Sequence, residues 1–469
     1  MIVKFTRRHF LGASTAFAAA ACTPALHKGY DADVIILGAG LAGLHAARML
    51  AEDGANVLVL EASNRIGGRM WSLSDLPGAP EAGGQQVGQS YARIRSTALN
   101  LGLDITPPRP GGNREKTMVL QGQAFDARDW SSHPKNSFPT AYKRATPDSA
   151  LFMAAAGANP FSDQYAWRKA DPIHDVSAEA FLAAAGFDAD SRALCDIALN
   201  GNSLDTYSML NLWRTLVLYT KDSGLGPAGE IEGGSQRLPE AMAESLPEGT
   251  VRFNKQVDAI RADHSGVEIS ANGRSYRAPF AVCTIPFAAL SKVDLTLPEE
   301  DADLRQIFAA MPYTQIQQIH LSLERAPTDD LPLSMWTDTP IERVFPVRDQ
   351  KGETVALTCW INGTGASQAT DEDWSRLAEE TLRDTRGLKA TAQKVIRWDQ
   401  NQPLSGGAYM HWAPGQVPIW AERILRPSGR LYFAGEHTSH LHTGMEGAME
   451  SGERVAYAIG EEMVAKGSS

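Results

Sequence analysis

Two uninterrupted apolar runs, Val34-Ile35-Ile36-Leu37 and Val57-Leu58-Val59-Leu60, flank a helix-spaced segment, so residues 30–90 read as β-α-β with a glycine-rich loop after the first strand. The character changes over 91–228, where proline-rich loop sequence (Pro107 to Pro110) gives way to helical windows at Ala178–Ala185 and Arg192–Leu218. From 229 the first pattern resumes with Gly233-Gly234-Ser235 and a helix beginning at Leu238. Short strands follow at Val251–Phe253 and Val257–Ile260. The pair Gly266–Ser270 and Arg274–Ala278, turning at Asn272-Gly273, has the signature of a hairpin, and Ala281–Ile285 reads as a short buried strand. Residues 316–323 alternate, with Ile316, Gln318, His320 and Ser322 set against Gln317, Ile319, Leu321 and Leu323, which predicts a half-buried strand. A long helix is expected from about Met445 to Lys466. The alternation of characters predicts two interleaved domains, one from 30–90, 229–299 and 402–469 and the other from 91–228 and 300–401, with 1–29 standing apart.

The glycines after the first strand carry chemistry. Gly38-Ala39-Gly40-Leu41-Ala42-Gly43 has the GxGxxG spacing that lets a backbone turn tightly and approach a pyrophosphate at a helix N-terminus. Glu61 ends the second strand roughly 20 residues on, where a carboxylate accepts hydrogen bonds from a ribose. Strand, turn, helix and acid together predict a bound dinucleotide in a Rossmann-type α/β domain, interleaved with an α+β substrate-binding domain.

The continuation Glu61-Ala62-Ser63-Asn64-Arg65-Ile66-Gly67-Gly68-Arg69 resembles the extended FAD signature of the flavin amine oxidase family, which includes monoamine, polyamine and L-amino acid oxidases. The resemblance runs on in order through Glu81 to Gly88, Glu232-Gly233-Gly234-Ser235, Thr284-Ile285-Pro286, Trp398, Gly406-Gly407-Ala408-Tyr409, Tyr432 to Glu436 and Gly444 to Ala448. It implies FAD contacts from Gly38, Gly40, Leu41, Ala42, Gly43, Glu61, Ala62, Gly68, Arg69, Gly84, Gln85, Val257, Gly435, Glu436, Gly444 and Met445. It implies hydride transfer to FAD from the carbon beside an amine nitrogen, the cofactor supplying the redox chemistry and the protein the positioning.

The same resemblance implies an aromatic cage before the flavin. Tyr409 matches one half, and Gly444 stands where the other aromatic would be. Ala408 occupies the place of the cysteine that bonds covalently to FAD in mitochondrial members, so the cofactor is expected to be non-covalent. Trp398 matches a tryptophan packed beside the flavin. Gln318 matches the family's water-holding lysine, and a glutamine holds water without contributing charge to oxygen reduction. Tyr409, Gln318 and Trp398 are the expected catalytic set, and Gln86, His440, His442 and Gly444 the expected substrate pocket. L-amino acid oxidases carry an arginine where this chain has Gln85-Gln86, which favours a simple small-molecule amine over an amino acid. An FAD-dependent L-amino acid oxidase, a C–C desaturase of the same fold and a non-catalytic flavoprotein are the alternatives.

Charge and termini narrow the picture. A formal net charge of −11 without a basic cluster argues against nucleic acid. No apolar stretch after residue 30 is long enough to span a bilayer, so no transmembrane anchor is expected. Thr6-Arg7-Arg8-His9-Phe10-Leu11 before a small-residue apolar run from Gly12 to Ala21 reads as a twin-arginine export signal to the periplasm, with Cys22 as an alternative lipid anchor. Export leaves O2 or a periplasmic electron carrier as acceptor. Cys195, Cys283 and Cys359 lie in apolar runs and read as buried hydrophobes. The spacing of His437, His440 and His442 fits no zinc pattern, so no metal is expected.

Overall fold

The computed structural model describes residues 29–107, 115–441 and 444–467. The expected signal segment, Cys22 and His442 lie outside them. Five parallel strands form the central sheet, in the order Leu431–Phe433, Phe280–Cys283, Val34–Leu37, Val57–Leu60, Val251–Arg252. Val34–Leu37, Val57–Leu60 and Phe280–Cys283 are buried at every position, because helices and loops cover both faces of such a sheet and leave no polar side to alternate with. Helix Leu41–Glu52 leaves the first strand and packs against the closing helix Met445–Gly467. A Cβ at Gly452 would stand 2.4 Å from the Ala42 carbonyl oxygen, so the two helix backbones meet directly there.

A four-stranded sheet, ordered Arg274–Ala278, Val267–Ala271, Val257–Ala262, Asp294–Thr296, is attached to this core. Its first two strands form the expected hairpin. Asn272 and Gly273 both have positive φ, 47° and 72°, which the two-residue turn requires.

The largest sheet has seven strands, ordered Lys389–Trp398, Ile316–Arg325, Thr354–Asn362, Arg343–Arg348, Met335–Thr337, Thr117–Leu120, Gln123–Asp126. Helix Asp371–Arg386 backs it, with Trp374, Ala378 and Leu382 packed in one cluster with Ile319 and Leu321. Its start is capped by the Thr370 hydroxyl accepting from Asp373 N–H, and it ends on Gly387 at φ 61°.

Two expectations need correction. Ile316–Arg325 is not half-buried: Ile316 to Leu321 are buried on both faces, because the strand is interior to the sheet and its polar side chains find internal partners. Gln317 Nε2, for one, donates to Asp399 at 2.6 Å. The helical window Arg192–Leu218 is two helices, Ala189–Asp196 and Met209–Asp222. Ala198 takes φ 65°, the Asp196 carboxylate accepts from Leu204 N–H, and Ser208 caps the second helix by accepting from Leu210 N–H. Local side-chain bonding offered the backbone an alternative to helix there.

Candidate active site

The fingerprint loop is held by its own backbone and by Glu61. Gly38 has φ 107°, a conformation that favours glycine, and a Cβ on it would stand 2.6 Å from Thr284 Oγ1. Gly43 admits no side chain either, its Cβ falling 2.1 Å from the Gly38 carbonyl oxygen. Gly40 is different. It is extended (φ −84°, ψ −179°), and the nearest protein atom to an added Cβ is the Gly67 carbonyl oxygen at 4.0 Å. Neither its backbone nor its described neighbours require glycine at 40, and the bare backbone leaves room there for a ligand to approach.

The remaining residues fit a dinucleotide too. Gly67 N–H donates to Ala39 O, and Gly40 and Gly67 form a parallel bridge that places the Arg65–Arg69 turn beside the glycine loop. Glu61, 7% exposed, accepts from Ala39 N–H at 2.7 Å and from the Ser63 N–H and hydroxyl at 2.8 and 2.7 Å. A carboxylate has about four lone-pair positions, which leaves room for a ribose hydroxyl. Ala62 follows it directly. Lys255 N–H donates to Glu61 O and Asn254 N–H to Ser63 O, bringing the start of strand Val257–Ala262 to the same place.

On the other side of the loop, Arg69 Nη1 donates both to Glu436 Oε1 at 2.7 Å and to Ala408 O at 2.9 Å. The buried Glu436 Oε2 has no partner among the described residues, as expected of an acceptor reserved for a ligand hydroxyl. Gly435 N–H is held by Ser451 Oγ. Gly84 approaches Met70 and Met445: its added Cβ would lie 2.7 Å from Met70 Cγ and 3.2 Å from Met445 Sδ. Gly444 has φ 126° and precedes the closing helix, whose N-terminus at Met445 is a second anion-favouring end.

An aromatic cluster adjoins this cradle. Trp398, Trp71, Trp360, Ala408 and Tyr409 pack in one group with Ile316, Ile396 and Ala82. Trp398 Nε1 donates to Ala82 O at 2.8 Å, and Trp71 meets Trp398 edge-on with centroids 6.4 Å apart. Arg65 lies 4.5 Å over the Trp71 ring. Tyr409 is partly buried, and that burial pushes its phenol up, so it is a neutral donor at working pH.

Gln318 is 2% exposed. With its amide oriented to satisfy both neighbours, it donates to Ala82 O at 3.1 Å and accepts from Trp360 Nε1 at 3.0 Å. Both amide ends therefore serve protein groups.

Gln85 and Gln86 are exposed, Gln85 Nε2 donating to Glu230 at 3.0 Å. His440 stands with Arg168, whose Nη1 is 3.0 Å from its Nδ1, and edge-on to Tyr165. Burial, then Arg168, holds His440 at about 4, so it is uncharged near neutral pH and gives no switch there. His437 is buried against Phe287, with ring centroids 4.2 Å apart, and neither of its nitrogens has a partner among the described residues. The two histidines thus have separate surroundings. Cys195, Cys283 and Cys359 are free and buried, as expected.

Residues 41–460 match the family described as flavin containing amine oxidoreductase. The chain belongs to that family. It is 24% identical over 460 residues to horse amine oxidase [flavin-containing] A, covering 92% of this chain and 85% of that one. Pseudooxynicotine dehydrogenase from a Pseudomonas species is 25% identical over 475 residues, covering 95% of this chain and 89% of that protein. Among solved structures, cyclohexylamine oxidase from Brevibacterium oxydans IH-35A superposes with a TM-score of 0.75 at 24% identity, covering 92% of this chain and 99% of that one. The fold is a Rossmann-type FAD-binding domain interleaved with an α+β substrate-binding domain, and the protein is a flavin-dependent oxidoreductase acting on amines. Among the described residues no helix is long and apolar enough to cross a membrane.

Sequence motifs missed part of the site. Trp71 and Trp360 pack with Tyr409, and Arg343 lies over the Trp360 ring. Apart from Trp71, two residues past the Gly67-Gly68-Arg69 turn, these residues stand outside any recognisable motif. Tertiary packing alone gathers them.

Proposed function

We propose that this enzyme oxidises a primary or secondary amine with non-covalently held FAD, in the periplasm after twin-arginine export. When bound, FAD accepts a hydride from the carbon bearing the nitrogen. The reading is carried by Arg69, which ties the carbonyl of Ala408, next to Tyr409, to Glu436 in the nucleotide cradle. The aromatic surface is thereby fixed against the cofactor site. Gly38, Gly40, Gly43 and the helix end at Leu41 and Ala42 would receive the pyrophosphate, Glu61 the ribose, and Arg69, Glu436 and Met445 the remainder. Ala408 offers no thiol, which supports non-covalent binding.

Tyr409, Trp398 and Trp360 present apolar ring surface that keeps water from the reacting carbon. Arg343, over the Trp360 ring of this cluster, adds a positive charge near Tyr409, which disfavours an ammonium and favours the free amine that hydride loss requires. The imine product is hydrolysed by water to an aldehyde or ketone. Gln85 and Gln86 supply no cation for an α-carboxylate, which weighs against an L-amino acid oxidase, and the tryptophan–tyrosine pair weighs against a C–C desaturase. The Arg7-Arg8 segment and its small-residue run support export, and Cys22 supports a lipid anchor as the variant of it.

Mixing FAD-loaded enzyme with a panel of amines without oxygen should bleach the flavin with at least one; a flavin that stays yellow with every amine overturns the assignment. Peroxide release compared with dye reduction on the same amine then separates O2 from an electron carrier as acceptor. Gln318→Lys places an ammonium between Ala82 O and Trp360 Nε1. It should raise the rate of reoxidation by oxygen about tenfold or more. It should also cost about 1–3 kcal/mol of stability in urea melts, since Trp360 Nε1 loses its acceptor. An unchanged oxygen rate would separate Gln318 from the acceptor step.

A further inference from the structure

Across the seven-stranded sheet, Arg343, Trp360, Gln318 and Ile396 are successive cross-strand partners. Residues directly opposite one another share a face, so Arg343 lies on the face that Gln318 turns toward Ala82. Two strand spacings separate Arg343 from Gln318, roughly 9–10 Å between Cα atoms. The guanidinium carbon sits 5.4 Å from the Trp360 ring centre and 5.8 Å from that of Phe345.

Arg343 is short of partners. Nη2 donates to Asn200 Oδ1 at 3.0 Å, whereas the buried Nε has no acceptor among the described residues. Among the described residues no carboxylate forms an ion pair with it. Asp148 is taken by Lys116 at 2.5 Å, and the neighbouring Glu342 accepts from Asn362 N–H at 2.9 Å. Trp360 links Arg343 to Tyr409: the guanidinium lies over its ring, and Tyr409 packs in the same cluster. A second cation, Arg214, is 3% exposed, lies 4.5 Å over Trp167, and has no partner for its Nε among the described residues. The Arg343 side chain is half-buried, Asp148 and Glu342 act on it without pairing, and its planar fork matches a carboxylate.

We propose that the substrate is an amine that also carries a carboxylate several bonds from the reacting carbon, and that Arg343 receives this carboxylate while the amine end lies at Tyr409. The proposal rests on the amine-oxidising reading above and sharpens it to a substrate class. Arg343 stands two strand spacings from Gln318, so a carboxylate held there is set back from the Gln318 end of the site, where an α-carboxylate would lie beside the reacting carbon.

The test pairs butylamine with 4-aminobutanoate and hexylamine with 6-aminohexanoate on the FAD-loaded enzyme. For at least one chain length the carboxylated amine should have a KM lower than its plain partner by about ten- to a hundredfold. That ratio should fall toward one in Arg343→Gln and partly recover in Arg343→Lys. Butanoate and hexanoate, which cannot be oxidised, should perturb the flavin spectrum saturably in the wild type and at much higher concentration in Arg343→Gln. If amines bleach the flavin but the two series have equal KM values and the carboxylates leave the spectrum unchanged, this inference fails and the amine reading stands. If Arg343→Gln does not fold, the KM ratio and the carboxylate titration on wild-type enzyme decide alone.

Discussion

Gly40→Ala should yield a folded protein that retains FAD about ten- to a hundredfold more weakly than the wild type. Alanine readily adopts the extended backbone of residue 40, and its methyl group would have 4.0 Å of clearance from the nearest protein atom. The cost therefore falls on the ligand, whose pyrophosphate needs that space. Gly43→Ala is the contrast: its methyl would stand 2.1 Å from the Gly38 carbonyl oxygen and 3.1 Å from Ile36 Cγ2, so the turn itself must distort. Circular dichroism melts without added FAD should show Gly40→Ala close to the wild type and Gly43→Ala clearly lower, while FAD titration should show both impaired. Wild-type FAD affinity in Gly40→Ala would mean that the cofactor does not pass over this residue.

The largest loss of stability should follow Arg69→Ala. Glu436 is 5% exposed, and its Oε1 is held by Arg69 while Oε2 has no partner among the described residues. Removing the guanidinium leaves a carboxylate in a site that water scarcely reaches. Breaking such a pair from one side costs about 3–5 kcal/mol, and the lower end applies because Arg69 itself keeps 23% exposure. Ala408 O also loses its donor, which loosens the segment that carries Tyr409. Adding Glu436→Gln to Arg69→Ala should recover most of the loss, since a neutral amide still accepts from Met410 N–H without a buried charge. Urea denaturation of the single and double variants measures this directly. Equal stability of Arg69→Ala with and without Glu436→Gln would show that the buried charge is not the source of the cost.

The nucleotide side of the molecule was readable because its determinants are local. The turn at Gly38 depends on its own φ of 107°, and Glu61 reaches Ala39 N–H because a strand–helix–strand unit brings the ends of two adjacent parallel strands together. The hairpin at Asn272-Gly273 was legible for the same reason. Alternation at 316–323 misled because polar side chains imply solvent only when no internal partner exists. Gln317 has Asp399, His320 has Thr358, and Gln318 has Ala82 and Trp360. The helix read over Arg192–Leu218 failed where Asp196 and Ser208 bond to nearby backbone, a competition that hydrophobic spacing does not register.

Short-range rules, namely backbone sterics at glycine, strand–turn–helix geometry and one carboxylate at a strand end, were enough to imply a dinucleotide, and the ordered motifs pointed to the flavin-dependent amine chemistry that the family match supports. The surroundings of Tyr409 came only with folding. Trp71, Arg343 and Trp360 are drawn from segments far apart in the chain. Which of them face the reacting carbon depends on the register of Arg343, Trp360 and Gln318 across three strands. A slip of one residue there would turn each side chain to the opposite face, and packing of the finished sheet is what sets that register.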